Sequence, residues 1–289
     1  MYLMQPYDDA LAEILDHGVE KSSVRTGVKT LSVFGMCKRY RLDTGRAPII
    51  TRRKVWPMSV YSELLWLLEG STSNKRLIEL GCKFWTPWVD PEWAKNRGYE
   101  EEDVFGPVYG FNARHFGGNY NSGVHNEYYG QKGFDQLNYM MDRIKTDTSC
   151  RRILWSLWNP AEIDNMRLPP CHILFQILID DERRMTGLMY QRSCDFPIGV
   201  PANIQFYSAL ICMIAQQTDC TPHELVHMTA DSHIYCNQED AVREYLELKP
   251  FDSPKLEINK AKDIYSYTPN DFVLSDFSCG PKLEIPLAI

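Results

Sequence analysis

Leu168-Pro169-Pro170-Cys171-His172 leads through Ile173–Ile179, Asp180-Asp181-Glu182 and Met185–Gln191 to Arg192-Ser193-Cys194-Asp195 and Pro201-Ala202-Asn203. The runs Ile173–Ile179 and Met185–Gln191 are apolar and β-rich, and the acidic triplet between them predicts a hairpin turn. Pro201 predicts the opening of an apolar helix that carries Ile204, Tyr207, Leu210, Ile211 and Ile214, since proline in a first turn lacks only an N–H that would have no partner there. The same stretch holds a thiol, an arginine with hydroxyl and carboxylate neighbours, and an amide, within about three dozen residues. These are a nucleophile, an anion site and a reader of a planar polar ring. Spacing alone does not make them converge: a cysteine after two prolines is most often a buried structural thiol. Asn203, at a helix start, can cap the helix or face a ligand.

Working outward, Ile153–Trp158 predicts a strand and Phe134–Ile144 a helix with Leu137, Met140, Met141 and Ile144 in register. Glu224–Tyr235 reads as a strand ending in Asp231-Ser232-His233-Ile234-Tyr235. Near the N-terminus, Tyr7–His17 predicts a helix and Thr30–Tyr40 a strand, with Arg25 on the polar turn Ser22–Gly27 between them. Loops set by rigid elements often carry binding groups, although an exposed arginine is the commoner case. Ser59–Glu69 predicts a buried helix in which Glu63 either turns to solvent or needs a partner and a shifted pKa. Phe84-Trp85-Thr86-Pro87-Trp88 is an aromatic cluster, followed by a charged insertion, Asp90–Asp103. Gly106–Gly110 predicts a turn holding Tyr109, and Gly117–Gly133 a loop excursion. No repeat or linker interrupts the chain, so one α+β domain over residues 1–289 is expected.

At 289 residues the chain can bury a large core. Its 44% hydrophobic and 24% charged residues are ordinary for a globular protein. A net charge of −7 argues against non-specific nucleic-acid binding. The local clusters Arg52-Arg53-Lys54, Arg151-Arg152 and Arg192 suit a small anion such as a phosphate, although most arginine pairs are simply solvated. Nine cysteines with no CxxC pair read as a reduced, intracellular set, with no zinc-ligand spacing. The N-terminus lacks signal-peptide character, and no apolar run approaches the ~18 residues of a membrane span. A cytoplasmic protein without a membrane partner is the expectation.

The chain resembles the thymidylate synthases and their pyrimidine hydroxymethylase relatives almost end to end. The resemblance is carried by Arg25-Thr-Gly, Glu63-Leu-Leu-Trp, Trp85, Gly106-Pro-Val-Tyr-Gly, Arg151-Arg152 and Leu-Pro-Pro-Cys171-His. It continues in Gln-Arg-Ser-Cys-Asp195, Asn203, Asp231-Ser-His233-Ile-Tyr235 and Ala288-Ile289. It implies an α+β domain of the thymidylate synthase type, a mixed sheet with helices packed on it, one sheet face forming a homodimer interface. It also implies one-carbon transfer from 5,10-methylenetetrahydrofolate, a co-substrate, to C5 of dUMP, without a metal. Cys171 would add to C6 of the base, making C5 nucleophilic, with Arg192 favouring the thiolate.

By the same resemblance, Arg25, Arg192 and Ser193 hold the 5′-phosphate from one subunit, and Arg151 and Arg152 reach it from the other. Asn203 reads uracil, where deoxycytidylate hydroxymethylases carry an aspartate. His233 and Tyr235 hold the sugar 3′-hydroxyl. Glu63 relays protons to the base and Tyr109 assists removal of the C5 proton. Asp195 orders the pterin, Trp85, Leu168, Gly199 and Ala202 line the folate site, and Ile289 closes over it.

The chain departs from the synthase pattern in three places. Gly-Pro-Val-Tyr-Gly-x-Gln-Trp-Arg continues here as Phe111-Asn112-Ala113-Arg114, Pro-Phe-Asn is Pro201-Ala202-Asn203, and Gly-Gly is Thr229-Ala230. The phage hydroxymethylases depart at the tryptophan, at the phenylalanine and at the first glycine too. Losing two aromatic side chains can admit water to the methylene formed on the base. The expectation therefore leans to a dUMP hydroxymethylase, with a thymidylate synthase as the alternative, since Trp85, Leu168 and the Ala288-Ile289 terminus are retained. A catalytically silent nucleotide-binding dimer is a third reading, opposed by the intact Cys171, Tyr109, Glu63 and Asn203.

Overall fold

The computed structural model describes residues 1–24, 26–99, 101–120 and 133–287. The N-terminal part contains α1 (Gln5–His17), β1 (Val19–Lys21), β2 (Thr30–Arg41), α2 (Pro57–Leu68), α3 (Asn74–Glu79), α4 (Pro91–Asn96) and α5 (Tyr109–His115). The middle adds α6 (Gln136–Thr146), β3 (Leu154–Ser156), β4 (His172–Ile179), β5 (Arg184–Asp195) and α7 (Gly199–Gln217). The chain goes on through β6 (Thr221–Tyr235), α8 (Glu239–Glu247), β7 (Lys255–Ile258) and β8 (Phe272–Ser275).

One sheet has the order β1-β2-β6-β5-β4-β3, parallel only between β5 and β6 and antiparallel elsewhere, so it is mixed; β7 and β8 form a separate pair. The expected α+β class holds. The parallel pair needs a crossover, and α7 supplies it. Val200, Ile204, Phe206, Tyr207, Leu210, Ile211 and Ile214 of α7 are buried, and the helix packs on β5, β6 and α2. A helix apolar almost all round is stable only when covered on several sides, and α7 is.

Among the described residues the other face of the sheet has no such cover. Leu174 and Leu178 of β4 stand in register with Tyr190 and Thr186 of β5, and Tyr190 with Met228 of β6. Leu178 is 64% and Met228 39% exposed.

Several element bounds differ from the sequence reading. The helix expected over 134–144 begins at Gln136, because the Asp135 carboxylate accepts from the Asn138 N–H and caps it there. The strand expected over 153–158 is only Leu154–Ser156. Tyr109 does not sit within a turn but opens α5, three residues after Gly106. Gly106 has φ +75°, and a Cβ there would lie 2.0 Å from the Asn165 carbonyl oxygen, so only glycine fits this approach. The insertion 90–103 contains α4, capped by Asp90. Most of the expected 117–133 excursion, residues 121–132, lies outside the described residues; at its base Phe116 pairs with Phe134.

Candidate active site

Cys171 ends the Pro169-Pro170 approach to β4 and is half-buried. Its backbone N–H donates to Tyr109 Oη at 2.7 Å, and its carbonyl accepts from the Arg192 N–H at 2.8 Å. The register of β4 shifts between His172 and Leu174, immediately beyond the thiol. Such irregularities re-aim a strand end. The Arg192 guanidinium is fastened beside the thiol: Nε donates to the Pro170 carbonyl at 2.8 Å and Nη2 to the Pro169 carbonyl at 3.1 Å, over the Trp158 ring. The prolines thus leave two carbonyls open to hold an arginine against the next residue. A cation so placed favours a thiolate.

Glu63 is not turned to solvent. Its Oε1 accepts from Trp85 Nε1 at 2.5 Å, and burial, opposed by that bond, pushes its pKa up to about 7. Trp85 packs edge-on against Tyr109 with centroids 5.6 Å apart, so the residues from 63 to 171 form one continuous wall. Burial holds the Tyr109 phenol well above its ordinary pKa, and its proton stays on near neutral pH.

Sequence reasoning passed over His172. It is buried, lies 4.4 Å from the Tyr109 ring and shares a 2.8 Å hydrogen bond through Nδ1 with Tyr207 Oη. Burial lowers its pKa to about 3, so it is neutral. Only its adjacency to Cys171 could have marked it.

Asn203 lies within the first turns of α7 and does not cap the helix, whose N-cap, Ile198, makes no side-chain cap. Its Oδ1 accepts from Gln191 Nε2 at 3.0 Å. Gln191 Oε1 in turn lies 3.0 Å from His227 Nε2. Burial drops His227 to about 3, and its neutral Nε2–H then acts as donor to that oxygen. The chain His227–Gln191–Asn203 therefore fixes which way the Asn203 amide faces. Neither Gln191 nor His227 was singled out from sequence, because β5 and β6 must pair before they meet.

The same pairing sets Ser193 opposite Asp231 and Asp195 opposite His233. His233 stands edge-on to Tyr235 at 5.2 Å, and its Nδ1 lies 3.2 Å from the Asp231 carbonyl. His233 and Lys21 hold the Asp231 carboxyl well below the usual range. Asp195 is half-buried, and burial raises its pKa to about 6 against the opposing pull of His233 and Gln238. Gln238, another residue the sequence did not flag, reaches Asp195 Oδ1 at 3.5 Å and donates to the Pro286 carbonyl at 2.8 Å.

Ala202 lines a cavity of about 200 Å³ with Ile198, Pro201, Trp56, Phe84, Val55 and Arg53. Trp56 is 54% and Phe84 38% exposed, so two aromatic faces are open where Ala202 offers only a methyl group. Leu168 and Ala202 pack half-buried against the core, and Gly199 begins α7. Such a wall suits a planar, partly aromatic molecule, with Arg53 available for an acidic group. Among the described residues no group of His, Cys, Asp and Glu could hold a metal ion, and no helix is long and apolar enough to cross a membrane.

Two expected phosphate ligands stand elsewhere. Arg151 and Arg152 are exposed, and the Arg151 carbonyl accepts from Gln176 of β4. Gln176 is some five residues along the strand from Cys171, on the order of 17 Å. The structure thus does not bring this pair to the thiol of their own chain. Arg25 and Ile289 lie outside the described residues.

A family model described as thymidylate synthase matches residues 5–289. The chain is 40% identical over 268 residues to a thymidylate synthase of Herpesvirus ateles, covering 92% of this chain and 91% of that protein. It is 37% identical to the thymidylate synthase of Saccharomyces cerevisiae over 99% of this chain and 97% of that one. It is also 37% identical to a bifunctional dihydrofolate reductase-thymidylate synthase of Paramecium tetraurelia, of whose length it spans 61%.

Proposed function

Because the chain belongs to the thymidylate synthase family of one-carbon transferases, we propose that it converts dUMP and 5,10-methylenetetrahydrofolate to dTMP and dihydrofolate. The observation that carries this reading is the linked assembly of Cys171, Tyr109, Arg192 and the Glu63–Trp85 pair around one strand end, on the same sheet as the amide chain that ends on Asn203. When bound, the folate supplies the one-carbon unit and the reducing hydride. Cys171 adds to C6 of the uracil and stays bonded while the C5 proton is removed and the folate amine departs; it is expelled only when the one-carbon unit on C5 has been reduced, Tyr109 and Glu63 serving that proton traffic near the base. Asn203 pairs with the uracil edge, its orientation set by Gln191. Asp195 and the apolar wall of Trp56, Phe84 and Ile198 receive the folate.

The lean towards a hydroxymethylase gives way to the synthase. Ala113 is fully buried in the core, closed to solvent, and Phe111 beside it is fully buried against Tyr120 and His115. Thr229 is buried and accepts from the Ser232 hydroxyl at 2.7 Å. Those departures sit in packed core, which supports the synthase reading. At Ala202 the open faces of Trp56 and Phe84 can supply the aromatic contact that the alanine lacks. The relatives named as thymidylate synthases support the same choice.

The uncovered sheet face with Leu174, Leu178, Tyr190 and Met228, together with arginines stranded far from their own thiol, supports a homodimer in which Arg151 and Arg152 serve the partner's phosphate site. A product assay with both substrates tests the reaction. Thymidylate with stoichiometric dihydrofolate is expected; 5-hydroxymethyl-dUMP with the folate left unoxidised overturns the reading in favour of a hydroxymethylase. Asn203→Asp should shift the ratio of kcat/KM from dUMP towards dCMP by on the order of tenfold or more, because the uracil edge then meets a group of the wrong polarity. An unchanged ratio would place base reading elsewhere.

A further inference from the structure

We propose that the buried Asp8–Arg52 ion pair positions the folate site, by fixing the backbone of residues 51–54 on which residues 280–286 are laid beside the cleft. The proposal rests on the folate-dependent reading above. Asp8, on α1, is 3% exposed; its Oδ2 accepts from Arg52 Nε at 2.8 Å. Its Oδ1 accepts from the Tyr245 and Tyr2 hydroxyls at 2.9 and 3.2 Å. Arg52 also donates to the Leu246 and Leu248 carbonyls at the end of α8. Every strong acceptor around the guanidinium is thus drawn from α1 and α8, which lock the residue in place. A buried ion pair is a weak stabiliser compared with apolar packing. Fixing a conformation accounts for it better than stability does.

What it fixes is visible in the backbone. The Thr51 carbonyl accepts from the Gly280 N–H at 2.8 Å, and the Lys54 N–H donates to the Pro281 carbonyl at 2.9 Å. A Cβ at residue 280 would lie 1.9 Å from the Arg52 carbonyl oxygen, so the strap lies flush against residue 52. Between those two anchors, Arg53 reaches across to the Pro197 carbonyl at 3.0 Å, two residues beyond Asp195. Further on, Lys282–Pro286 and Lys54 line a groove with Trp56, the residue that also walls the cavity at Ala202, and Gln238 ties Pro286 to Asp195. The ion pair therefore governs one wall of the folate site through residues 51–54 and shares no atom with Cys171, Arg192 or Asn203.

Asp8→Asn keeps acceptors for the tyrosines and removes the charge. It should raise KM for methylenetetrahydrofolate about tenfold, leaving dUMP affinity and kcat within about twofold. Amide exchange at Gly280 and Lys54 should quicken in the same variant. Gly280→Ala, which leaves the ion pair intact and lifts the strap, should give the same split. A lower Tm with folate KM unchanged, an equal rise in KM for both substrates, or a normal folate KM in Gly280→Ala overturns the proposal. Should the wild-type protein not turn over these substrates, the functional reading fails; faster exchange in Asp8→Asn would still uphold the anchoring, and unchanged exchange would remove it.

Discussion

Cys171→Ser is expected to lower kcat by more than about 10³-fold while leaving dUMP binding within about threefold. Addition at C6 of the uracil needs an anion that is both abundant near neutral pH and soft enough to attack an electron-poor ring carbon. A thiol, softer and more acidic than a hydroxyl, suits that attack, and a serine hydroxyl, ionising far above the working pH, does not. The substitution is structurally mild. Both hydrogen bonds that fix the residue, from its N–H to Tyr109 and from Arg192 to its carbonyl, are made by its backbone and survive. Steady-state turnover and mass spectrometry of the protein with dUMP read the result together. Retained turnover would remove the nucleophile assignment; lost turnover with intact nucleotide binding separates chemistry from folding.

Glu63→Gln should lower kcat by about 10²–10⁴-fold and abolish the limb of the pH–rate profile centred near 7. The glutamine can still accept from Trp85 Nε1, so the wall keeps its shape, but it can neither take up nor release a proton. The stability of the variant carries an independent sign. Burial raises the folded-state pKa of Glu63 from 4.5 to about 7, so the folded protein retains a proton that the unfolded chain has lost. That contribution is complete below about 4.5 and disappears as pH rises through about 7. At pH values above 7 the variant should therefore be at least as stable as the wild type while being far less active. A variant that is inactive and also less stable above 7 would indicate that Glu63 holds the wall together rather than handling protons.

The residues that sequence could reveal are those whose chemistry is announced by close neighbours. The diproline before Cys171, the Arg192-Ser193 step and the apolar surroundings of Glu63 are local patterns, and the structure links Arg192 to the diproline, Cys171 to Tyr109, and Tyr109 through Trp85 to Glu63. The strands flanking Asp180-Asp181-Glu182 and the apolar helix after them are likewise short-range signals. What stayed hidden depends on long-range pairing. Gln191 and His227 meet only because β5 and β6 run parallel, His172 finds Tyr207 across the α7 crossover, and Gln238 reaches Asp195 and Pro286 from a separate part of the chain. The three departures from the synthase pattern are hard to read for a related reason. A lost aromatic reads as open space in sequence, but whether neighbours refill it is decided by packing, as at Phe111 and Ala113. Asn203 stays open between helix cap and ligand contact while Pro201 reads as the helix opening; α7 in fact starts at Gly199.

The strand order has a consequence for how the molecule comes into being. β2, residues 30–41, lies between β1 and β6, and its long partner spans residues 224–235. The whole stretch between residues 41 and 224 must therefore be made before β2 can close on that partner, and loop closure over such separations makes folding slow. Until α7 is synthesised, Leu64, Leu65, Leu67 and Leu68 of α2 also lack their main apolar neighbour. The nascent N-terminal third is thus an adhesive intermediate of the kind that chaperones shield. Since the cleft draws on α2, α5, β4, β5 and β6 together, no truncated product can be partly competent: the catalyst is all or nothing.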